Sequence, residues 1–215
     1  MIKIAPSILA ADLLKIKDEV INVDNAGADY IHIDIMDGHY VPNISFGPNM
    51  VKSIRSVTKK ILDVHLMISP VQPYIQEFIK SGSDIISFHP ETTDNPKEII
   101  NSIKKGGCKA GIAIHPKVKV EDIADFLNDI DLVIVMTVMP GFGGQKFLHD
   151  QVYKIHKLKE LQKSIKSNFE IEIDGGINAE TNKICIENGA DILVAGSYIY
   201  SSPAQDYKKL IDGIR

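Results

Sequence analysis

Short apolar runs alternate with longer amphipathic stretches along the whole chain. Eight of the runs have the length and the β-branched content of buried strands, and they lie at 2–5, 30–34, 61–67, 84–88, 109–114, 132–136, 169–174 and 191–195. The stretches between them repeat apolar residues at helical spacing, beginning with Leu13, Ile16, Val20 and Val23. Further helices are predicted to begin near Asn49, Val71, Asn95, Val120, Gln151, Ala179 and Pro203.

Glycine marks the junctions between helices and strands. The segments NAGAD (25–29), KSGSD (80–84) and ENGAD (187–191) each place a glycine between a helix and the next strand, where a left-handed helix end is common. Eight βα units in 215 residues predict a compact (β/α)8 TIM barrel of the α/β class. We expect a single domain over residues 1–215. A doubly wound open sheet is the alternative, although no GxGxxG motif follows the first strand.

Composition and charge narrow the possible functions. The chain is 44% hydrophobic and 24% charged, which is typical of globular proteins. A net charge of −4 and only two arginines, Arg55 and Arg215, argue against a nucleic-acid partner. No apolar run approaches the roughly 20 residues of a membrane helix, and the start, MIKIAPSILAAD, does not have the pattern of a signal peptide. Cys108 and Cys185 have no metal or disulfide spacing, so we expect a cytoplasmic protein with no membrane partner.

Polar residues interrupt three of the predicted strands. His32 and Asp34 share one face of the second strand because side chains alternate with a period of two. Asp63, His65 and Met67 share a face of the third strand, and Asp174 ends the seventh. If His32, Asp34, His65 and Asp174 converge, they suit a borderline divalent ion. A buried hydrogen-bond network without a metal is the other interpretation, and the spacing alone favours it for any one of these residues.

Glycine-rich turns form a second group. MPGFGGQ (139–145), DGG (174–176) and AGS (195–197) follow the sixth, seventh and eighth strands. In such barrels the loops after strands seven and eight, with a nearby helix N-terminus, commonly bind phosphate through backbone N–H groups. Met36, Met67 and Met136 end strands and are interpreted from the residues alone as core filler. His39, His149 and His156 are expected at the surface, whereas His89 and His115 could line the barrel mouth without an assigned partner.

The chain resembles the ribulose-phosphate 3-epimerase family in stretches that span nearly its whole length. They are APSILAAD (5–12), HIDIMDGHYVPN (32–43), FGP (46–48), DVHLM (63–67), FHPE (88–91), MTVMPGFGGQKF (136–147), EIDGGIN (172–178) and AGS (195–197). The resemblance implies a ribulose-phosphate-binding (β/α)8 barrel. It also implies an isomerase that interconverts D-ribulose 5-phosphate and D-xylulose 5-phosphate in the pentose phosphate pathway, and a homo-oligomer.

The same resemblance implies a set of site residues. One divalent metal ion per subunit (Fe2+, Zn2+, Co2+ or Mn2+) would be held by His32, Asp34, His65 and Asp174 and would stabilise an enediolate. Asp34 and Asp174 would be the catalytic acid and base. The ketose phosphate would contact Ser7, Met36, His65, Met67, Met136, Gly141, Phe142, Gly143, Gly144, Asp174, Gly175, Gly176, Gly196 and Ser197. The three methionines would then form a roof over the reacting carbons, which replaces their interpretation as core filler.

Two positions depart from the family pattern. Met139 stands where a polar or acidic residue is usual before PGFGGQ, and His115 stands where an asparagine before proline is usual. Both departures bear on substrate preference.

Three rival functions remain. An epimerase of a six-carbon ketose phosphate, such as allulose 6-phosphate, is the nearest alternative, although the intact GFGG and DGG segments favour the pentulose. A lyase would need a lysine that the stretch 34–37 lacks. A non-catalytic sugar-phosphate-binding barrel has no need of two opposed carboxylates.

Overall fold

A ring of eight parallel strands forms the centre of the computed structural model, which describes residues 1–215. The strands are β1 Lys3–Pro6, β2 Tyr30–Met36, β3 Ile61–Met67, β4 Ile85–Phe88, β5 Lys109–Ile114, β6 Leu132–Met136, β7 Glu170–Asp174 and β8 Ile192–Ala195. All eight correspond to strands predicted from the sequence. Their spatial order is β1-β8-β7-β6-β5-β4-β3-β2, and every neighbouring pair is parallel.

The ring closes between β1 and β2. A parallel bridge joins Ser7, just after β1, to His32 in β2. Because β1 thus lies between β8 and β2, the sheet is a nearly closed barrel, and the alternative of an open doubly wound sheet is wrong. The (β/α)8 prediction is confirmed.

Helices connect the strands, and most begin close to their predicted positions. They are α1 Ile16–Asn25, α2 Pro48–Arg55, α3 Ile75–Lys80, α4 Pro96–Lys105, α5 Val152–Ile165, α6 Thr181–Glu187, α7 Ser197–Tyr200 and α8 Tyr207–Ile214. The segment Val120–Phe126, predicted as a helix, is a 3-10 helix. The short α7, directly after β8, was not predicted because four residues carry no helical periodicity.

Two apolar layers hold the barrel together. The outward-facing residues of the strands, such as Ile31, Ile33 and Ile35, pack against the helices in a cluster of 48 buried residues. A second cluster of ten buried residues contains inward-facing side chains such as Ala5, Ile134 and Val194. The alternation of the two faces along each strand therefore separates the outer core from the barrel interior.

The helix-to-strand junctions repeat one local arrangement. The predicted glycines Gly27, Gly82 and Gly189 all have positive φ angles, between 95° and 107°, which glycine adopts without steric cost. Two residues later, Asp29, Asp84 and Asp191 each accept a backbone N–H from the neighbouring strand, from Ile4, Leu62 and Ile171 respectively. Glycine and aspartate thus fix where each of these three strands starts.

None of the helices combines the length and the apolar character that crossing a bilayer requires.

Truncating one outward-facing strand residue tests the importance of the outer layer. Ile33 is fully buried, so Ile33→Ala is expected to lower the free energy of unfolding by about 2–5 kcal/mol. Leu14 is 96% exposed, and Leu14→Ala is expected to change it by less than about 0.5 kcal/mol. Urea unfolding of both variants measures the difference. Equal losses would contradict this assignment of the core.

Candidate active site and metal centre

The register of β2 and β3 brings two pairs of polar residues together inside the barrel. His32 is paired with Asp63, and Asp34 is paired with His65. Asp174, at the end of β7, reaches the same point from across the barrel, with β1 and β8 between its strand and β2. Parallel strands present their carboxyl ends at one edge, so side chains distant in sequence meet there.

Four side-chain atoms face one another at this edge, all within 4.8 Å of one another. His32 Nε2 lies 3.4 Å from Asp34 Oδ1 and 3.8 Å from Asp174 Oδ2. His65 Nδ1 lies 3.5 Å from each of the same two oxygens. The structure thus brings together the four residues that the sequence predicts as metal ligands.

The donor set fits a divalent metal ion. Ligand atoms held tetrahedrally about 2.0–2.2 Å from an ion such as zinc are about 3.3–3.6 Å apart, close to the four nitrogen–oxygen separations of 3.4–3.8 Å in this cluster. His32 Nε2 and His65 Nδ1 are also buried without a hydrogen-bond partner. Two nitrogen lone pairs and two carboxylate oxygens are the ligands that zinc, ferrous iron, cobalt and manganese accept. The buried His/Asp cluster can therefore hold such an ion.

The imidazoles and carboxylates of the cluster shift one another's pKa values. Burial opposes protonation of His32, but the charges of Asp34 and Asp63 outweigh it and raise its pKa well above the usual value. The pKa of His65 is raised to about 9, because the neighbouring carboxylates of Asp174 and Asp34, each 3.5 Å from its Nδ1, outweigh burial. Burial opposes ionisation of Asp34, yet the two imidazoles hold its pKa well below the usual range. The cluster thus favours cationic imidazoles beside an ionised Asp34.

A second acidic layer lies beneath the cluster. Asp63 Oδ2 accepts a hydrogen bond of 2.6 Å from His32 Nδ1, and Glu172 Oε1 lies 3.3 Å from the same nitrogen. Both carboxyl groups are completely buried. Burial, reinforced by the charge of Asp63, raises the pKa of Glu172 well above its usual value. Because its Nδ1 is hydrogen-bonded to Asp63, His32 directs Nε2 toward Asp34 and Asp174.

Hydroxyl groups hold Asp34 in place from the other side. Ser7 Oγ donates to Asp34 Oδ2 at 2.6 Å. Ser45 Oγ donates to the Asp34 carbonyl at 2.5 Å and accepts from the Met36 backbone N–H at 3.0 Å. One carboxylate oxygen of Asp34 therefore faces the imidazoles while the other is fixed by Ser7.

A cavity open to solvent lies above the cluster. Asp34 and Asp174 reach it, with 4% and 9% of their surface exposed, whereas His32 and His65 are completely buried. The predicted substrate residues that line it are Ser7, Met36, Met67, Met136, Gly141, Phe142, Gly143, Gly144, Asp174, Gly175, Gly176, Gly196 and Ser197. His65 alone among the predicted substrate residues does not line the cavity.

The loop after β6 forms one wall of the cavity and is held by two amide side chains. Asn43 Nδ2 donates to the Gly141 carbonyl at 2.7 Å. Gln145 Nε2 donates to the carbonyls of Met139 and Phe142. Phe142 itself remains 54% exposed.

Gly176, at the adjoining wall, permits a close approach of two loops. It has a φ of +68°, and an added Cβ would lie 2.8 Å from the backbone nitrogen of Phe147. A side chain at this position is therefore excluded both by conformation and by space.

Several functional neighbours were not predicted from the sequence. Glu172 could have been found from the alternation Glu170, Glu172, Asp174, since residues two apart share a face. Asn43 and Gln145 carried no signal that separates a loop-holding amide from any other polar residue. His39, His149 and His156 are exposed as predicted. His89 is completely buried below the mouth rather than lining it, and His115 is half-buried.

Comparison with known proteins agrees with the geometry. A model of the ribulose-phosphate 3 epimerase family matches residues 3–200. The ribulose-phosphate 3-epimerase of Bacillus subtilis (strain 168) is 48% identical over 216 residues, which cover 100% of this chain and 99% of that protein. The chain belongs to the ribulose-phosphate 3-epimerase family. The chloroplastic ribulose-5-phosphate-3-epimerase of Arabidopsis thaliana is 43% identical, over 99% of this chain and 75% of its own length.

The fold of this chain also matches solved structures of proteins that have other names than the epimerases. KGPDC of Streptococcus mutans superposes with a TM-score of 0.74 at 16% identity and covers 100% of this chain and 97% of its own. The tryptophan synthase A-subunit of Pyrococcus furiosus gives 0.74 at 14% identity, with 99% and 96% covered. At such identities the likeness shows the barrel fold alone. Family membership, in contrast, confirms the prediction of an isomerase.

Metal affinity is expected to fall as the pH falls. His65, with its pKa raised to about 9, and His32, also raised, must lose protons before their nitrogens can bind an ion. Below about pH 9 the apparent affinity should therefore drop about tenfold per pH unit for each proton displaced. Calorimetry of Mn2+ binding in buffers of different ionisation enthalpy counts those protons, and we expect about two near pH 7, one from each imidazole. Affinity independent of pH would contradict the assignment, and His149→Gln, at the surface, should leave the count unchanged.

Proposed function

We propose that the chain interconverts D-ribulose 5-phosphate and D-xylulose 5-phosphate by inverting the configuration at C3. The observation that supports this most directly is the pair of carboxylates that reach one cavity from β2 and β7 and share a metal-ligand set. Family membership supports the same substrate class, a ketose phosphate.

Inversion next to a ketone requires removal of a proton from one face of the carbon and return of a proton to the other. A rigid site meets this requirement with two acid/base groups on opposite sides of the substrate. Asp34 and Asp174 come from strands separated by β1 and β8. We assign them as the two proton-transfer groups, each serving as base in one direction of the reaction and as acid in the other.

The metal and the acid/base pair share the same residues in this proposal. His32 Nε2, Asp34 Oδ1, His65 Nδ1 and Asp174 Oδ2 would hold one divalent ion, such as Fe2+, Zn2+, Co2+ or Mn2+. When bound, the ion polarises the ketone oxygen and stabilises the negative charge that develops on the substrate, which lowers the barrier by several kcal/mol. The imidazole neighbours of Asp34 outweigh burial and hold its pKa well below the usual range, which keeps that carboxyl ionised, the form in which it can act as a base.

The apolar part of the cavity keeps water away from the reacting carbon. Met36, Met67 and Met136 line it, and each is at most 3% exposed. A methionine thioether is polarisable and carries no acidic proton. The three side chains therefore exclude solvent without offering a competing proton donor at the carbanion stage.

The glycine-rich loops are suited to the phosphate group. Gly175, Gly176, Gly196 and Ser197 line the cavity on the side of β7 and β8, where phosphate is commonly bound in this fold. Backbone N–H groups without side chains in front of them can approach phosphate oxygens closely. Phe142 and the glycines of the β6 loop form the facing wall.

Proton NMR in D2O tests the reaction. Metal-loaded protein with D-ribulose 5-phosphate is expected to yield xylulose 5-phosphate that carries deuterium at C3. Asp34→Asn and Asp174→Asn are each expected to lower the rate by about 10²–10⁴-fold, because each removes one proton-transfer group. Asp212→Asn, whose carboxylate pairs with Lys208 on the surface, should retain full activity.

Two outcomes would reject parts of the proposal. Full activity in either site variant would reject the scheme with two carboxylates. Unchanged D-ribulose 5-phosphate with the wild-type protein, together with turnover of D-allulose 6-phosphate, would reject the pentulose as substrate.

A glycine variant tests the phosphate side independently. Gly176→Ala places a Cβ against the backbone of Phe147 at a positive φ, so the loop must move and phosphate contacts should weaken. We expect KM for the ketose phosphate to rise at least about tenfold, the equivalent of about 1.4 kcal/mol, with a smaller change in kcat. Gly213→Ala, where an added Cβ meets nothing within 4 Å, is the control. An unchanged KM in Gly176→Ala would reject this location for the phosphate.

A further inference from the structure

A third buried histidine touches the metal centre without belonging to it. His89 follows Phe88 at the end of β4 and is completely buried. Its Nε2 lies 3.0 Å from Nε2 of His65, and the two ring centroids are 5.1 Å apart. The proposed mechanism gives this residue no role, yet it makes the closest polar contact of His65.

The contact requires one proton between two nitrogen atoms, so one ring donates and the other accepts. His65 Nδ1 faces Asp34 and Asp174 and has no hydrogen-bond partner. If that nitrogen binds a metal ion through its lone pair, the proton of the neutral imidazole must be on Nε2. His89 Nε2 is then necessarily the acceptor, and His89 carries its own proton on Nδ1.

The surroundings of His89 favour that tautomer. Its Nδ1 makes no hydrogen bond but lies 3.9 Å from Glu91 Oε1. At this distance the carboxylate acts electrostatically and favours a proton over a lone pair on the nearer nitrogen. Tyr40 Oη donates to the same Glu91 oxygen at 2.8 Å. The Tyr40 ring also lies against the His89 ring, with centroids 4.8 Å apart. The His89 ring is therefore fixed in place with Nε2 directed at His65.

The two imidazoles of the metal centre thus have opposite orientations and different partners. His32 donates from Nδ1 to the carboxylate of Asp63 and presents Nε2. His65 presents Nδ1 and is backed by a neutral ring. Asp34, Asp63, Asp174 and Glu172 already place four carboxyl groups in this part of the barrel, and a further buried charge would be costly. An imidazole supplies an acceptor without adding one.

We propose that His89 is a positioning residue that fixes the tautomer and the ring orientation of His65 by accepting its Nε2–H, so that Nδ1 faces the metal ion. The inference rests on the proposed metal site. Partners of this kind typically change metal affinity by 10–100-fold when they are removed.

Zinc affinity, measured by competition with a chromophoric chelator, tests the role with three variants. His89→Leu removes the acceptor and is expected to weaken zinc binding by about 10–100-fold. His89→Gln places an amide oxygen near the former Nε2 and is expected to restore most of the affinity. His115→Leu removes a half-buried histidine whose ring centroid is 6.4 Å from that of His89, and it should bind zinc like the wild type.

The tautomer itself is read from the wild-type protein. Long-range proton–nitrogen NMR correlation of the zinc-loaded, 15N-labelled protein is expected to show His89 protonated at Nδ1 and unprotonated at Nε2. This measurement does not depend on whether His89→Leu folds. A proton on His89 Nε2, or unchanged zinc affinity in a folded His89→Leu, would overturn the role of His89 while leaving the metal site standing. A wild-type protein that binds no zinc but still epimerises the pentulose phosphate would overturn both this role and the metal site, but not the reaction.

Discussion

Charged groups that cannot reach bulk water must neutralise one another, and this constraint organises the carboxyl end of the barrel. His32 and His65 are completely buried, and Asp34 and Asp174 are nearly so. An uncompensated charge at such a position costs several kcal/mol. Each imidazole is therefore flanked by carboxylates, and its other nitrogen contacts a further buried side chain, Asp63 for His32 and His89 for His65. Loss of one member leaves its neighbours buried and unpaired.

Apolar packing in the rest of the fold offsets the cost of burying these polar groups and leaves two of them facing a cavity. The outer apolar layer packs the strands against helices, and the inner apolar cluster fills the barrel away from the polar group. Methionines and glycines, rather than further charged residues, surround the opening. Asp34 and Asp174 are consequently the only acidic or basic residues that line the cavity. A ketose phosphate bound there would meet both of them beneath an apolar roof.

The strands and the faces of the site residues were predictable from periodicity, whereas the contacts within the site depend on packing between strands. Apolar alternation located all eight strands, and the period of two placed His32 and Asp34 on one face. Whether His32 meets Asp63, or His65 meets His89, depends on the register between neighbouring strands and on barrel closure, which no local pattern encodes. For the same reason the residues alone could not decide between a metal site and a hydrogen-bond network. The 3-10 geometry of Val120–Phe126 likewise has no distinct periodicity.

The proposed site requires one divalent ion bound between β2, β3 and β7. Anomalous diffraction from crystals of the zinc-loaded protein, collected on both sides of the zinc absorption edge, tests it most directly. We expect one strong peak per chain, bounded by His32 Nε2, His65 Nδ1, Asp34 Oδ1 and Asp174 Oδ2, with metal–ligand distances of about 2.0–2.2 Å. A peak at the surface or at Cys108 or Cys185, or no peak at all, would contradict it.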